Sequence, residues 1–109
     1  MTTRELSTIH EKAVAKALGG RRTANSGATP FKKGDVIVGE VLIECKTKAK
    51  ETNKFSISKE WLDTIQMERK QMQLVAGFLA ISFNCGKDSY YVIDEKSMQV
   101  LLDTINGLL

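Results

Sequence analysis

The sequence predicts an α/β fold, a mixed β-sheet flanked by helices with its elements in the order αβββαββα. Three observations predict it. Two runs rich in β-branched residues, "DVIV" and "VLIECKT", flank Gly39 and Glu40 at hairpin spacing. Segments with apolar residues at helical spacing precede this hairpin, follow it and close the chain. A continuous apolar run, "AGFLAISF", has strand length and lies beyond the second of those segments. This mixed order argues for helices packed on a sheet, and against a helix bundle or an all-β barrel.

Each element has its own justification. Leu6, Ile9, Ala13, Ala17 and Leu18, with Val14 at the margin, predict a helix over 3–18, stopped by "LGG". "RRTA" is a candidate edge strand, and "NSGATPFKKG" has the Asn, Ser, Gly and Pro content of a loop. After the hairpin, "NKFSI" is a candidate short strand. Ser58 is placed to cap a helix running to about residue 73, with Trp61, Leu62, Ile65 and Met72 on its apolar side and Glu60 in its first turn. "SYYVID" is a further strand after the turn "NCGKD". "EKSMQVLLDTINGLL" closes the chain as a helix with Met98, Leu101, Leu102, Ile105 and Leu108 at helical spacing.

At 109 residues, the chain is read as one domain spanning 1–109. Hydrophobic residues make up 42% and charged residues 27%, which suits a folded domain and not a disordered chain. No apolar run approaches the roughly 20 residues that span a bilayer. The polar start "MTTRELSTIHEK" lacks the apolar centre of a signal peptide, so a cytoplasmic location is expected. Cys45 and Cys85 lack metal-type spacing and read as small packed side chains. The net charge of +3 is uneven: residues 1–60 hold twelve Lys/Arg against seven Asp/Glu, net +5, and the remainder four against six, net −2. A basic half of this kind suits a polyanionic partner once a site gives it meaning.

The charges inside the hairpin supply a candidate site. Strand alternation puts Glu44 and Lys46 on one face with Leu42, and Val41, Ile43 and Cys45 on the other. Pairing across a turn at 39 and 40 sets Asp35 opposite Glu44. Two carboxylates ~5 Å apart repel by about 3 kcal/mol at an effective dielectric of ~20, which a divalent cation reverses. Mg²⁺ takes oxygen ligands and keeps several waters, so Asp35 and Glu44 make an open site with room for a phosphate, and Mn²⁺ is a substitute. The chemistry such an ion supports beside a lysine is phosphodiester hydrolysis. A plainer reading is a solvated strand face with a Glu44–Lys46 ion pair of about 0–1 kcal/mol. Arg21, Arg22, Lys32, Lys33, Lys48, Lys50 and Lys54 surround the site in sequence as a basic rim for phosphate contacts.

"GDVIVGEVLIECKTK" resembles the signature of the PD-(D/E)XK nuclease superfamily, an Asp before one strand and Glu-x-Lys on the next. "HEKAVAKALGGRRTANSGA" followed by "KKGDVIV" and "IECKTK" is similar to the archaeal-type Holliday-junction resolvase family and its viral relatives, a resemblance covering roughly residues 8–95. It implies a restriction-endonuclease-like fold and a metal-dependent endodeoxyribonuclease that cuts branched DNA. It also implies a third carboxylate from the first helix, matched here by Glu11, with Lys46 assisting attack and the carbonyl of Cys45 completing the metal's ligands. Ser26 and Gly27 resemble the loop serine and glycine that approach the scissile strand, although an ordinary turn explains them equally well. Glu11 also closes a possible capping box, "TIHE", were the helix to start at Thr8.

Two symmetric nicks in a four-way junction need two copies of a site present once per chain, so a homodimer is expected. The last helix is more apolar than one buried stripe requires and is a candidate interface or a simple core helix. The rivals are a nuclease on the same fold that acts on linear or nicked duplex DNA, and a non-catalytic DNA-binding module. His10 reads as a satisfied side chain, and Trp61, Tyr90 and Tyr91 as residues in or beside the core.

Overall fold

The computed structural model describes residues 3–23 and 35–108, with side chains from residue 5 onward. The elements run α1 (Thr3–Leu18), β1 (Arg21–Arg22), β2 (Asp35–Val38), β3 (Val41–Thr47), α2 (Lys59–Gln71), β4 (Ala76–Ser82), β5 (Tyr90–Val92) and α3 (Glu95–Gly107). The strands form one five-stranded sheet in spatial order β1-β2-β3-β4-β5. Only β3 and β4 pair in parallel; the other three pairs are antiparallel. The parallel pair needs a crossover, and α2 provides it.

The β2–β3 hairpin has a two-residue turn, with Val38 opposite Val41. Gly39 takes a positive φ of 56° there, which only glycine adopts without steric cost. At Gly77 the requirement is closeness instead: a Cβ would lie 2.5 Å from Cγ2 of Ile65. Glycine therefore lets α2 seat directly on β4. Ser58 caps α2, its hydroxyl accepting from the Glu60 N–H at 3.2 Å.

The sheet has two different layers. On one face, Val14 of α1 packs with Val36, Ile43, Cys45 and Ala80, flanked by Ala15, Val38, Val41 and Phe78. On the other, Ile65 of α2 packs with Leu79 and Ile81, flanked by Phe55, Trp61, Leu62, Phe83 and Val92. Alternation along β3 thus sends Ile43 and Cys45 to the α1 layer and Leu42, Glu44 and Lys46 to the α2 layer.

Four expectations are corrected. The buried face of α1 is Leu6, His10, Glu11 and Val14, while Ile9 and Leu18 are exposed. The polar residues are tolerated because the fold supplies partners: Ser89 for His10 and Arg22 for Glu11. "NKFSI" forms no strand, since β3 is already paired on both sides by β2 and β4. Its Phe55 instead packs edge-on to Trp61 and Phe83. Tyr90 and Tyr91 lie on an edge strand and are exposed, with Tyr90 keeping an edge contact to Phe83. Finally, no residue of α3 is buried.

Candidate active site

The hairpin register places Asp35 directly opposite Glu44. Directly opposed residues project on the same face, so both carboxylates belong to the α2 layer with Lys46. Asp35 is buried, and its backbone carbonyl accepts from the Thr23 N–H at 3.0 Å and the Thr23 hydroxyl at 3.3 Å. These bonds extend the β1–β2 pairing by one residue and hold the start of β2 against the chain leaving β1.

Glu44 is largely buried, with the Lys46 Nζ at 3.7 Å from its Oε1. Its Oε2 is buried with no hydrogen-bond partner among the described residues. Burial pushes the Glu44 pKa above the usual carboxylate range; Lys46 opposes this shift and Glu68 of α2 adds to it. Burying a charged oxygen without a partner costs free energy, and a cation beside Asp35 and Glu44 is one way to recover it.

Lys46 is held from two sides. Besides Glu44, its Nζ lies 4.9 Å from the centroid of the Trp61 ring. Trp61 is fixed in turn by the edge of Phe55, at 6.4 Å and 74°. The aromatic face offers the ammonium a weakly solvated seat that still leaves one side open. The sequence places Trp61 in or beside the core and gives no sign of its role under Lys46, nor of Glu68 beside Glu44. Residues 61, 65 and 68 share one helical face, so Ile65 facing the sheet brings both neighbours toward β3.

Glu11 comes from the opposite layer. It is buried on α1, and its Oε1 accepts from the Arg22 Nε at 3.2 Å. Burial raises its pKa, and the Arg22 hydrogen bond and charge pull it down. The Cys45 thiol lies between the two sets: burial pushes its pKa well up, and the charges of Glu11, Asp35 and Glu44 push it further. A thiol so held stays protonated in the metal-free protein. Among the described residues, no three His, Cys, Asp or Glu side chains group closely enough to hold one metal ion. The structure therefore brings together Asp35, Glu44 and Lys46, and keeps Glu11 with Arg22.

Part of the basic rim is in place. Arg21 is exposed on β1 opposite Ile37, and Arg22 keeps about a third of its side chain exposed while it binds Glu11. Lys48 is exposed, its Nζ 5.1 Å from the Phe55 ring centroid, and so continues the aromatic and basic surface begun by Trp61 and Lys46. Lys50 and Lys54 are exposed on the connection to α2. Ser26, Gly27, Lys32 and Lys33 lie outside the described residues.

His10 is fully buried, with its Nε2 3.0 Å from the Ser89 hydroxyl. Burial lowers its pKa, and Asp88 opposes that shift. Asp88 itself accepts from the Ser82 hydroxyl at 2.6 Å and the Asn84 N–H at 3.0 Å. This cluster ties the loop after β4 to α1, one residue before Glu11. No helix among the described residues is long and apolar enough to cross a membrane. Compared with protein-family models, curated proteins and solved structures, the chain matches none.

Proposed function

We propose that the protein is a Mg²⁺-dependent endodeoxyribonuclease that cleaves branched DNA, with a four-way junction as its substrate. The observation that carries the reading is the register of Asp35 against Glu44, with Lys46 two residues on along the same face. The residues present fit a hard cation, since two carboxylates adjoin and one buried Glu44 oxygen lacks a partner among the described residues. Asp35 and Glu44 would hold the ion, with the carbonyl of Cys45 as a further oxygen donor and waters filling the remaining positions. Bound there, Mg²⁺ supplies positive charge against a phosphoryl group and lowers the pKa of water. Lys46, poised between Glu44 and Trp61, neutralises charge that develops on the phosphate or orients the attacking water.

Glu11 joins this site on one condition. Arg22 holds it now, and Arg22 is also exposed enough to meet a phosphate. A phosphate that draws Arg22 away releases a third carboxylate at the moment substrate binds. Arg21, Arg22 and Lys48 add sequence-independent phosphate contacts, so affinity should fall steeply with salt. The preference for branched DNA rests on the resemblance of residues 8–95 to junction resolvases.

The test is incubation with a synthetic four-way junction and a matched linear duplex, each with Mg²⁺ and with a chelator. Metal-dependent nicking of the junction well above the duplex is the expected result. Equal rates on both substrates would leave a general duplex nuclease. Binding without cutting would leave a DNA-binding module.

A further inference from the structure

We propose that the aromatic strip from Trp61 to Tyr90 binds unpaired nucleotides of the DNA strand that enters the site, with Tyr90 stacking on a base and Lys48 meeting a nearby phosphate. This deepens the nuclease reading, on which it rests only for the choice of polymer.

Four rings follow one another across the α2 side of the sheet. Trp61 meets the edge of Phe55, Phe55 meets Phe83 at 6.0 Å and 78°, and Phe83 meets Tyr90 at 5.5 Å and 79°. At one end Trp61 lies under Lys46, beside Glu44. At the other, Tyr90 stands on the edge strand β5 opposite Ile81, a member of the α2-side cluster. The strip therefore leads from the carboxylates to the edge of the sheet. The Thr52 N–H donates to the Phe83 carbonyl at 2.9 Å and so ties the connection that carries Phe55 to the end of β4.

Tyr90 is the ring left open. It is 59% exposed, and its near-perpendicular contact with Phe83 takes at most one of its two faces. Every nucleobase has a π-face to stack on such a ring, but a base inside a duplex is already stacked on its neighbours. The strip thus selects branched DNA with unpaired nucleotides at the branch point over DNA that is paired throughout.

Charge selects the polymer. Residues 46–54 hold four lysines and one glutamate, and Lys48, Lys50 and Lys54 are exposed. Lys48 sits over Phe55, two rings along the strip from Tyr90, so positive charge and an open aromatic face lie on one surface. That pairing is the one by which single strands are held, through phosphates and bases together. An acidic peptide would use the lysines but would leave the open ring without a planar partner.

The test is fluorescence anisotropy of a labelled oligodeoxythymidine of about 12 nucleotides with the full chain, in chelator, against a strand of equal length and charge that carries no bases. The strand with bases should bind roughly 5- to 100-fold more tightly, the scale of stacking one base. Tyr90→Ala and Tyr90→Leu should both remove that preference, and Tyr90→Phe should keep it. Equal affinity for the two strands, a preference that survives Tyr90→Ala, or a Tyr90→Phe variant that behaves like Tyr90→Ala would overturn the stacking role. So would displacement of the oligonucleotide by poly-glutamate more readily than by unlabelled oligodeoxythymidine. Binding is read without metal, which keeps the two readings apart. A protein that nicks junctions yet binds both strands alike overturns the strip alone, and one that prefers bases but never cuts overturns the nuclease reading alone.

Discussion

Neighbouring residues of β3 belong to two different environments. Ile43 and Cys45 point into the α1 layer, where Val14, Val36 and Ala80 close around them and the nearby charge of Glu11 is held by Arg22. Glu44 and Lys46 point into the α2 layer, where Leu79 and Ile81 end and Trp61, Phe55 and Glu68 begin. The first side gains from water leaving; the second keeps charge at the border of the dry region, where it is expensive and chemically useful. One strand thus builds a core and a site at once, because its side chains alternate. If the division is real, substitutions on the two sides should fail in different ways.

Asp35→Asn should separate them most widely. It keeps the shape of the side chain and removes one of two opposed charges, so repulsion with Glu44 falls. Cleavage of a junction in Mg²⁺ should drop by about 10²- to 10³-fold, the scale of losing one positioned electrostatic contact to the transition state. The midpoint of urea unfolding should not fall. Normal cleavage by this variant would mean the carboxylates on β2 and β3 are not the metal site.

The complementary change is Ile43→Ala, one residue along the strand on the other side. Ile43 is buried, so its truncation should cost about 2–5 kcal/mol in urea unfolding. Cleavage per folded molecule should stay within about twofold, since the core does not touch the reacting groups. A large loss of rate with little loss of stability would mean the two faces are not independent.

The sequence carried the hairpin clearly because its determinants are local: β-branched runs, a glycine at the turn, and a two-residue loop that fixes which residues oppose each other. Asp35 opposite Glu44 follows from those alone. The face of α1 did not follow, because His10 and Glu11 are buried by virtue of Ser89 and Arg22, which come from elsewhere in the chain. The seat of Lys46 on Trp61 was hidden for the same reason, since it depends on how α2 crosses the sheet. The periodicity of α3 showed which side is apolar but not what covers it. Pattern reveals what a segment wants to bury; only the assembled fold reveals what it meets.

Trp61→Leu probes the border between the two environments with a smaller effect. Leucine keeps an apolar side chain against Ile65 but removes the ring face under the Lys46 ammonium. A cation–π contact of this exposure is worth about 0.5–1 kcal/mol, so kcat should fall roughly two- to fivefold with KM little changed. Trp61→Phe should recover most of the loss. Identical effects from both variants would mean that the ring acts as core packing and not as a seat for the lysine.

Glu44 and His10 should also answer pH in opposite directions. Burial raises the pKa of Glu44 above its ordinary value of 4.5, so the folded state holds this proton more tightly than the unfolded chain does. The contribution of Glu44 is fully present below that value and is lost as pH rises through the folded pKa. His10, in the α1 layer, is lowered from 6.5, so its contribution is present above 6.5 and is lost as pH falls through the folded pKa. Glu11 shifts in the same direction as Glu44, so the overall curve mixes the terms and single variants must separate them. Urea unfolding between pH 4 and 8 should show Glu44→Gln flattening the decline on the alkaline side and His10→Asn flattening the decline on the acid side. Added Mg²⁺ should act like the first substitution and not the second, because an ion at Glu44 favours its charged form. If Mg²⁺ instead leaves the alkaline decline of the wild type untouched, the buried oxygen of Glu44 does not meet the ion.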